Sequence, residues 1–186
     1  MTIVEKVRKI IEKGGKKKSN FYGLEGLDHV LNVARYAKLL AIKRKADKEV
    51  TELAGLFHDY SCLLDKKYVD KHEEHSGKFA QEILSNLNYP QEKIEIIKDA
   101  IYCHRGSKNR PKKTLEAKCL ADADAMAHFS EIPGLFYLAY VTYQMSNRHD
   151  AKNFVEEKLL RSWNKLSPDA QKIIQKQYEA AKIILK

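Results

Sequence analysis

The sequence predicts an all-α fold, a single compact bundle of about eight or nine helices. Three observations predict it. Apolar residues recur at helical spacing along almost the whole chain. Sustained apolar–polar alternation is missing, and so are Asn-Gly and Asp-Gly hairpin turns. All four prolines fall at breaks or first turns of the periodic stretches, where helices start and stop.

Taken in order, residues 2–13 form an amphipathic helix followed by a basic loop at Lys16–Lys18. This start lacks the uninterrupted apolar core and cleavage site of a secretory signal. No apolar run approaches the ~20 residues that cross a bilayer. A cytoplasmic protein without membrane contact is expected. The second helix spans 26–46, with Val30, Ala34, Ala37 and Ala41 on one apolar line and His29, Val33, Tyr36 and Leu40 on the next. Asp47 can cap a helix over 48–58, which Leu53, Leu56 and Phe57 drive inward. Helices over 72–87 and 91–103 follow. Thr114 can cap the helix over 114–129, whose Leu120, Ala123 and Ala127 are apolar. The run at 135–145 reads as part of a core helix over 133–146. A helix over 149–166 precedes Ser167-Pro168-Asp169, an N-cap, a first-turn proline and an early acid that open the last helix, over 168–185. The final two helices read as a packing layer without chemistry. Gly55 and Gly77 lie inside helices, where each costs about 1 kcal/mol against alanine. Close backbone approach is expected at both.

At 186 residues the chain suits one sizeable core and is short for two. The expected domain is 1–186. Its core covers about 25–130 and a helical extension about 131–186. Three cysteines without a CxxC, namely Cys62, Cys103 and Cys119, indicate neither a disulfide framework nor a cysteine zinc site. A formal net charge of +9 favours anionic partners, although a Lys/Glu-rich exterior also occurs as plain solvated surface.

The informative residues are His29, the pair His58-Asp59, and Asp124. Each lies in or beside a hydrophobic helix, and two imidazoles with two carboxylates in a core call for a divalent cation. Such a set fills about four octahedral positions and leaves about two for water or substrate. It suits Mn, Fe, Co, Ni, Mg or Zn. Asp122 and Asp124 project on different faces, so only one can join a shared site.

The segments LDHVLNVARYA, ELAGLFHD, EHSGKFAQEIL, AIYCHRGS and LEAKCLADADAM resemble the HD-domain superfamily of metal-dependent phosphohydrolases, over about 25–130. Its pattern of a histidine, a His-Asp pair and a later aspartate maps onto His29, His58, Asp59 and Asp124. Ala123-Asp124-Ala125-Met126 matches the family segment better than Asp122 does. The resemblance implies an HD-type helical fold and a divalent metal held by these four. It also sets His75 and His104 where relatives hold a second metal or touch phosphate. Many relatives continue His-Asp with Ile-Gly-Lys, whereas here Tyr60-Ser61-Cys62 follows. His72 and His75 have i,i+3 spacing and do not form the HExxH motif, so His72 reads as a surface residue.

Water on such a cation has a pKa lowered towards about 7. Asp59 can then ligate the metal and orient the water, with Glu73 and Glu74 as acid/base candidates. The basic loop after His104 offers Arg105 and Lys108, backed by Arg110, Lys112 and Lys113, to grip phosphate. The expected activity is hydrolysis of a nucleotide or another small phosphoester or phosphoanhydride. The alternatives are a non-catalytic nucleotide- or nucleic-acid-binding helical protein, suggested by the charge, and a hydrolase of a non-phosphate bond.

Overall fold

Thr2 opens the chain with a reciprocal cap: its hydroxyl accepts from the Glu5 N–H and the Glu5 carboxylate accepts from the Thr2 N–H. Helix α1 (Ile3–Gly15) follows. The computed structural model describes residues 1–108 and 110–186, and the side chains of all these but Ser107. Beyond α1 come α2 (Gly23–Arg44), α3 (Lys48–Phe57), α4 (Tyr60–Leu64), α5 (His72–Asn86), α6 (Gln91–His104), α7 (Leu115–Ser130), α8 (Ile132–Tyr137), α9 (Arg148–Lys165) and α10 (Pro168–Ile184). Among the described residues there is no strand, so the fold is all-α as expected. No helix there is long and apolar enough to cross a membrane.

Two of the three expected caps act as the sequence implies, whereas Ser167 takes the N-cap position of α10 but turns its hydroxyl to Asp122 and makes no cap bond. Asp47 accepts from the Glu49 and Val50 N–H groups, and Thr114 from that of Ala117. The core lies among α2, α3, α6 and α7, with Leu40, Leu53, Phe57, Ile97, Ile101, Leu120 and Met126 fully buried. Each such side chain contributes about 1.5–3 kcal/mol by leaving water. Helices α9 and α10 cover α7. Trp163 stacks on Tyr178 at 3.8 Å, and both meet the edge of Phe129.

Gly55 explains how α2 and α3 come so close. A Cβ there would lie 2.6 Å from the Ala34 Cα. Gly77 differs: nothing lies within 4 Å of its would-be Cβ, so no close approach requires it. The expected helix over 133–146 is broken. Pro133 starts α8, and a π-helical turn over Leu138–Thr142 replaces its continuation. The Tyr143 N–H donates to the Leu138 carbonyl at 2.8 Å, and Gln144 takes a left-handed φ of 53°. The widened turn leaves Tyr137, Tyr140, Val141 and Tyr143 partly in solvent. This run is therefore a cover and not a core helix.

Candidate metal centre

Five histidines converge on two carboxylates. His29 stands in the second turn of α2, His58 closes α3, and Asp59 opens α4. His72 starts α5, His104 ends α6, and Asp124 and His128 lie one turn apart on α7. The tight α2–α3 contact at Gly55 brings the His29 and His58 ring centroids to 5.4 Å. The rings continue from His58 to His104 at 5.2 Å and from His104 to His72 at 5.3 Å. On the other side His128 stacks on His29 at 5.0 Å.

All five rings are held the same way. Nδ1 of His58, His72 and His104 donates to the carbonyls of Gly55, Val69 and Ile101, each three residues back, at 2.8, 2.9 and 2.5 Å. Nδ1 of His29 donates to Glu131 at 2.8 Å, and Nδ1 of His128 meets the Ser162 hydroxyl at 3.0 Å. Every Nε2 therefore faces inward. Asp59 Oδ2 lies 3.6 Å from that of His58, and its Oδ1 lies 3.4 and 3.7 Å from those of His72 and His104. Asp124 Oδ1 lies 3.4 Å from Nε2 of His29 and 4.0 Å from that of His128.

The electrostatics follow from this crowding. Burial works against a charged His29, but its hydrogen bonds to Asp124 and Glu131 outweigh that and raise its pKa to about 10. Burial likewise disfavours a charged Asp59, yet the positive potential of His58, His72 and His104 holds its carboxyl below the usual range. Asp124 is held low against burial by the His29 hydrogen bond and by His128. Burial and the nearby His58 take His104 down to about 4.

A divalent cation fits these donors. Nε2 of His58 and Oδ1 of Asp59 are buried without a hydrogen-bond partner, a costly arrangement unless something else binds them. The ligand atoms of His29, His58 and Asp59 all lie within 4.8 Å of one another. Nδ1 anchoring of this kind orients metal-binding imidazoles in general. Asp122, the other candidate on α7, faces away and binds Arg44 Nη2 at 2.6 Å.

The other expected site residues part company. Arg105 lines the cleft beside the cluster, and its guanidinium also donates to the Asp70 carbonyl and to Glu73. Glu73 is buried and paired with Arg105 and Arg110 at 3.1 and 3.2 Å. Burial alone would raise its pKa, but a backbone hydrogen bond and Arg105 hold it low, which suits an anchor more than a proton donor. Glu74 is exposed on the far side of α5. His75 packs its ring on Tyr68 at 4.8 Å, away from the carboxylates. Lys108 is exposed, and the described lining of the cleft does not include it. His72, read as a surface residue, takes the inward place instead, because α5 starts there and turns its first residue towards Asp59.

Sequence reasoning also missed that α9 lines the site. Two cavities, of about 320 and 590 Å³, meet at the cluster and share Tyr22, His29, Asp59, His128, Lys158 and Arg161. The larger is polar and reaches Arg105 and Lys165. The smaller is walled by Leu63, Leu135, Leu138, Tyr143 and Phe154. Lys158, Arg161 and Lys165 recur at i, i+3 and i+7, one helix face. That spacing was the available signal, obscured because α9 is charged on several sides. The Lys158 ammonium makes no hydrogen bond or ion pair among the described residues. Burial lowers its pKa, with Asp124 acting in the opposite sense.

Comparison with known proteins bears on the same residues. The HD domain family model matches residues 26–128, more than half of the chain and every inward-facing histidine and aspartate. The chain belongs to the HD domain family. Membership supports metal-dependent phosphohydrolysis in general. An uncharacterized protein of Clostridium beijerinckii is 36% identical over 85 residues, 45% of this chain and 54% of that one. Ribonuclease Y of Nitratiruptor is 28% identical over 106 residues, 57% of this chain but only 18% of the enzyme. The chain thus spans about half or less of these relatives. Among solved structures, Bacillus subtilis YpgQ in complex with ADP superposes with a TM-score of 0.69 at 21% identity, covering 95% of this HD domain protein and 90% of YpgQ. A predicted HD superfamily hydrolase from an uncultured Thermotogales bacterium gives 0.59 at 19% identity, covering 84% and 85%. At such identity both likenesses speak for the fold.

Proposed function

We propose that this HD domain protein hydrolyses a small phosphorylated substrate, a nucleotide in the first instance, at a centre held by His29, His58, Asp59 and Asp124. The observation that carries this is the pair of buried, unpartnered atoms, His58 Nε2 and Asp59 Oδ1, within a ring of inward-facing imidazoles. A bound divalent cation supplies a Lewis acid there and water of lowered pKa. Asp59 also faces His72 and His104, which fits a second cation sharing its carboxylate.

The remaining residues divide the substrate between them. Lys158 and Arg161 stand over the centre and neutralise phosphate, with Arg105 and Lys165 further along the polar cleft. The leucine and aromatic wall of the smaller cavity takes a flat, weakly polar group such as a base. The ADP bound to YpgQ favours a nucleotide. The match to part of Ribonuclease Y makes short RNA a second substrate class to try.

The experiment is to titrate purified protein with Mn, Fe, Co, Ni, Mg and Zn against a panel of nucleotides, sugar phosphates and short RNA. Metal-dependent release of phosphate, pyrophosphate or nucleotide is expected from at least one member. Salt-sensitive nucleic-acid binding without turnover of anything in the panel would favour the non-catalytic alternative.

A further inference from the structure

We infer that His128 is an additional ligand of the metal centre, beyond the four residues of the family pattern. The inference rests on the metal-dependent reading above and concerns a residue that reading does not need. Four observations converge on it.

First, His128 lies one helical turn after Asp124 on α7, so both side chains leave the helix on the same face. Second, the ligand-capable atoms of His29, Asp124 and His128 all fall within 4.8 Å of one another. Third, its tautomer is set by its surroundings. The Ser162 hydroxyl donates its proton to the Lys158 carbonyl at 2.9 Å. Only its lone pairs remain for Nδ1 of His128 at 3.0 Å, so that nitrogen carries the hydrogen. Nε2 is left with a lone pair, and it makes no hydrogen bond among the described residues. Fourth, this is the arrangement of the other four inward-facing histidines, each tied through Nδ1. Nε2 of His128 faces the Asp124 carboxylate, 4.0 Å away, at the wall of both cavities.

His128 then completes a triad with His29 and Asp124, which shares His29 with the triad of His29, His58 and Asp59. More nitrogen among the donors moves the preference from Mg towards the later transition metals. Ser162, on α9, becomes a device by which the C-terminal part of the chain orients a ligand on α7.

The test uses the full chain and two probes, Mn²⁺ and Co²⁺. Affinities are measured by competition with a chelator for wild type, His128→Ala and Ser162→Ala. The Co²⁺ absorption spectrum of each is recorded alongside, and wild-type crystals grown with Mn²⁺ locate the ion by anomalous scattering. His128→Ala is expected to bind at least about 100-fold more weakly and to give an altered Co²⁺ spectrum, while Ser162→Ala loses about tenfold. In the crystal, Nε2 of His128 should lie about 2.1 Å from the ion. An ion held by His29, His58, Asp59 and Asp124 with Nε2 beyond about 3 Å would overturn the inference and leave the metal centre standing. Unchanged affinity and spectrum in a folded His128→Ala protein would do the same. Absence of any bound ion in wild type would end both. Should His128→Ala fail to fold, the wild-type diffraction decides alone.

Discussion

Two carboxylates stand two residues apart on α7 and have opposite fates. Asp122, 6% exposed, is saturated with donors. Arg44 Nη2 reaches it at 2.6 Å, the Ser167 N–H at 3.0 Å and the Ser167 hydroxyl at 2.6 Å. Arg44 also holds Asp169 through Nε and Nη2, so one guanidinium ties the end of α2 and the middle of α7 to the start of α10. Asp124 has no arginine, hydroxyl or backbone donor among the described residues. It faces His29 and His128 at 3.4 and 4.0 Å, among histidines whose inward nitrogens include one, on His58, that makes no hydrogen bond among the described residues. The difference teaches how to tell a structural polar cluster from a functional one. In the first, donors and acceptors match within the chain; in the second, they match only if something else is added.

The largest effect that would test this contrast is the loss of Asp124. Asp124→Ala should weaken Mn²⁺ or Co²⁺ binding at least about 100-fold and bring hydrolysis to background. Its melting temperature without metal should stay near that of wild type. Calorimetry with metal analysis checks both. An Asp124→Ala protein that keeps its metal, or that unfolds, would erase the distinction.

Asp122→Ala should do the reverse. It takes from the Arg44 guanidinium, 14% exposed, its closest counter-charge and leaves Asp169 as the remaining one, at a cost of about 1–3 kcal/mol. The melting temperature should fall by roughly 5 °C, while the folded fraction still binds metal stoichiometrically.

Lys158→Met sharpens the comparison from the side of α9. Its ammonium is an unmatched donor over the centre, so its removal should raise KM about tenfold, roughly 1.4 kcal/mol. Metal affinity and stability should hardly move. Steady-state kinetics on the best substrate of the panel measures this; a large loss of stability would assign Lys158 to the structural class instead.

The smallest expected effect belongs to Asp169. The hydrogen bond from Arg44, working against slight burial, lowers its pKa from 3.8 to about 2. A depressed folded-state pKa stabilises the protein above about pH 4, and that contribution is lost as pH falls through about 2. Asp169→Asn should flatten this part of an acid-unfolding curve. The change is small because Asp169 is 39% exposed and water screens the pair.

Several of these roles were legible in the amino-acid sequence. The helical period and the caps at Asp47, Thr114 and Ser167 placed most of the helices. The hydrophobic helices around His29, His58-Asp59 and Asp124 named four residues that the structure brings together. The period failed at 133–146, where a π-helical turn changes it, and at α9, where charges on several faces hid the inward stripe. His72 and His75 were indistinguishable by spacing alone. Which of them faces Asp59 depends on where α5 begins and on the hydrogen bond from His72 Nδ1 to the Val69 carbonyl.

By itself, then, the sequence determined the helical class of this protein and the kinds of donor its core would hold. Periodicity and residue chemistry are local properties and can be read one segment at a time. Tertiary structure alone decided which aspartate of α7 stays unmatched, which way each imidazole nitrogen points, and that α9 closes over the centre. Those outcomes depend on distances between segments more than 100 residues apart, such as His29 and Glu131 at 2.8 Å. Such distances are set by packing of the whole core, down to the missing side chain of Gly55 against Ala34.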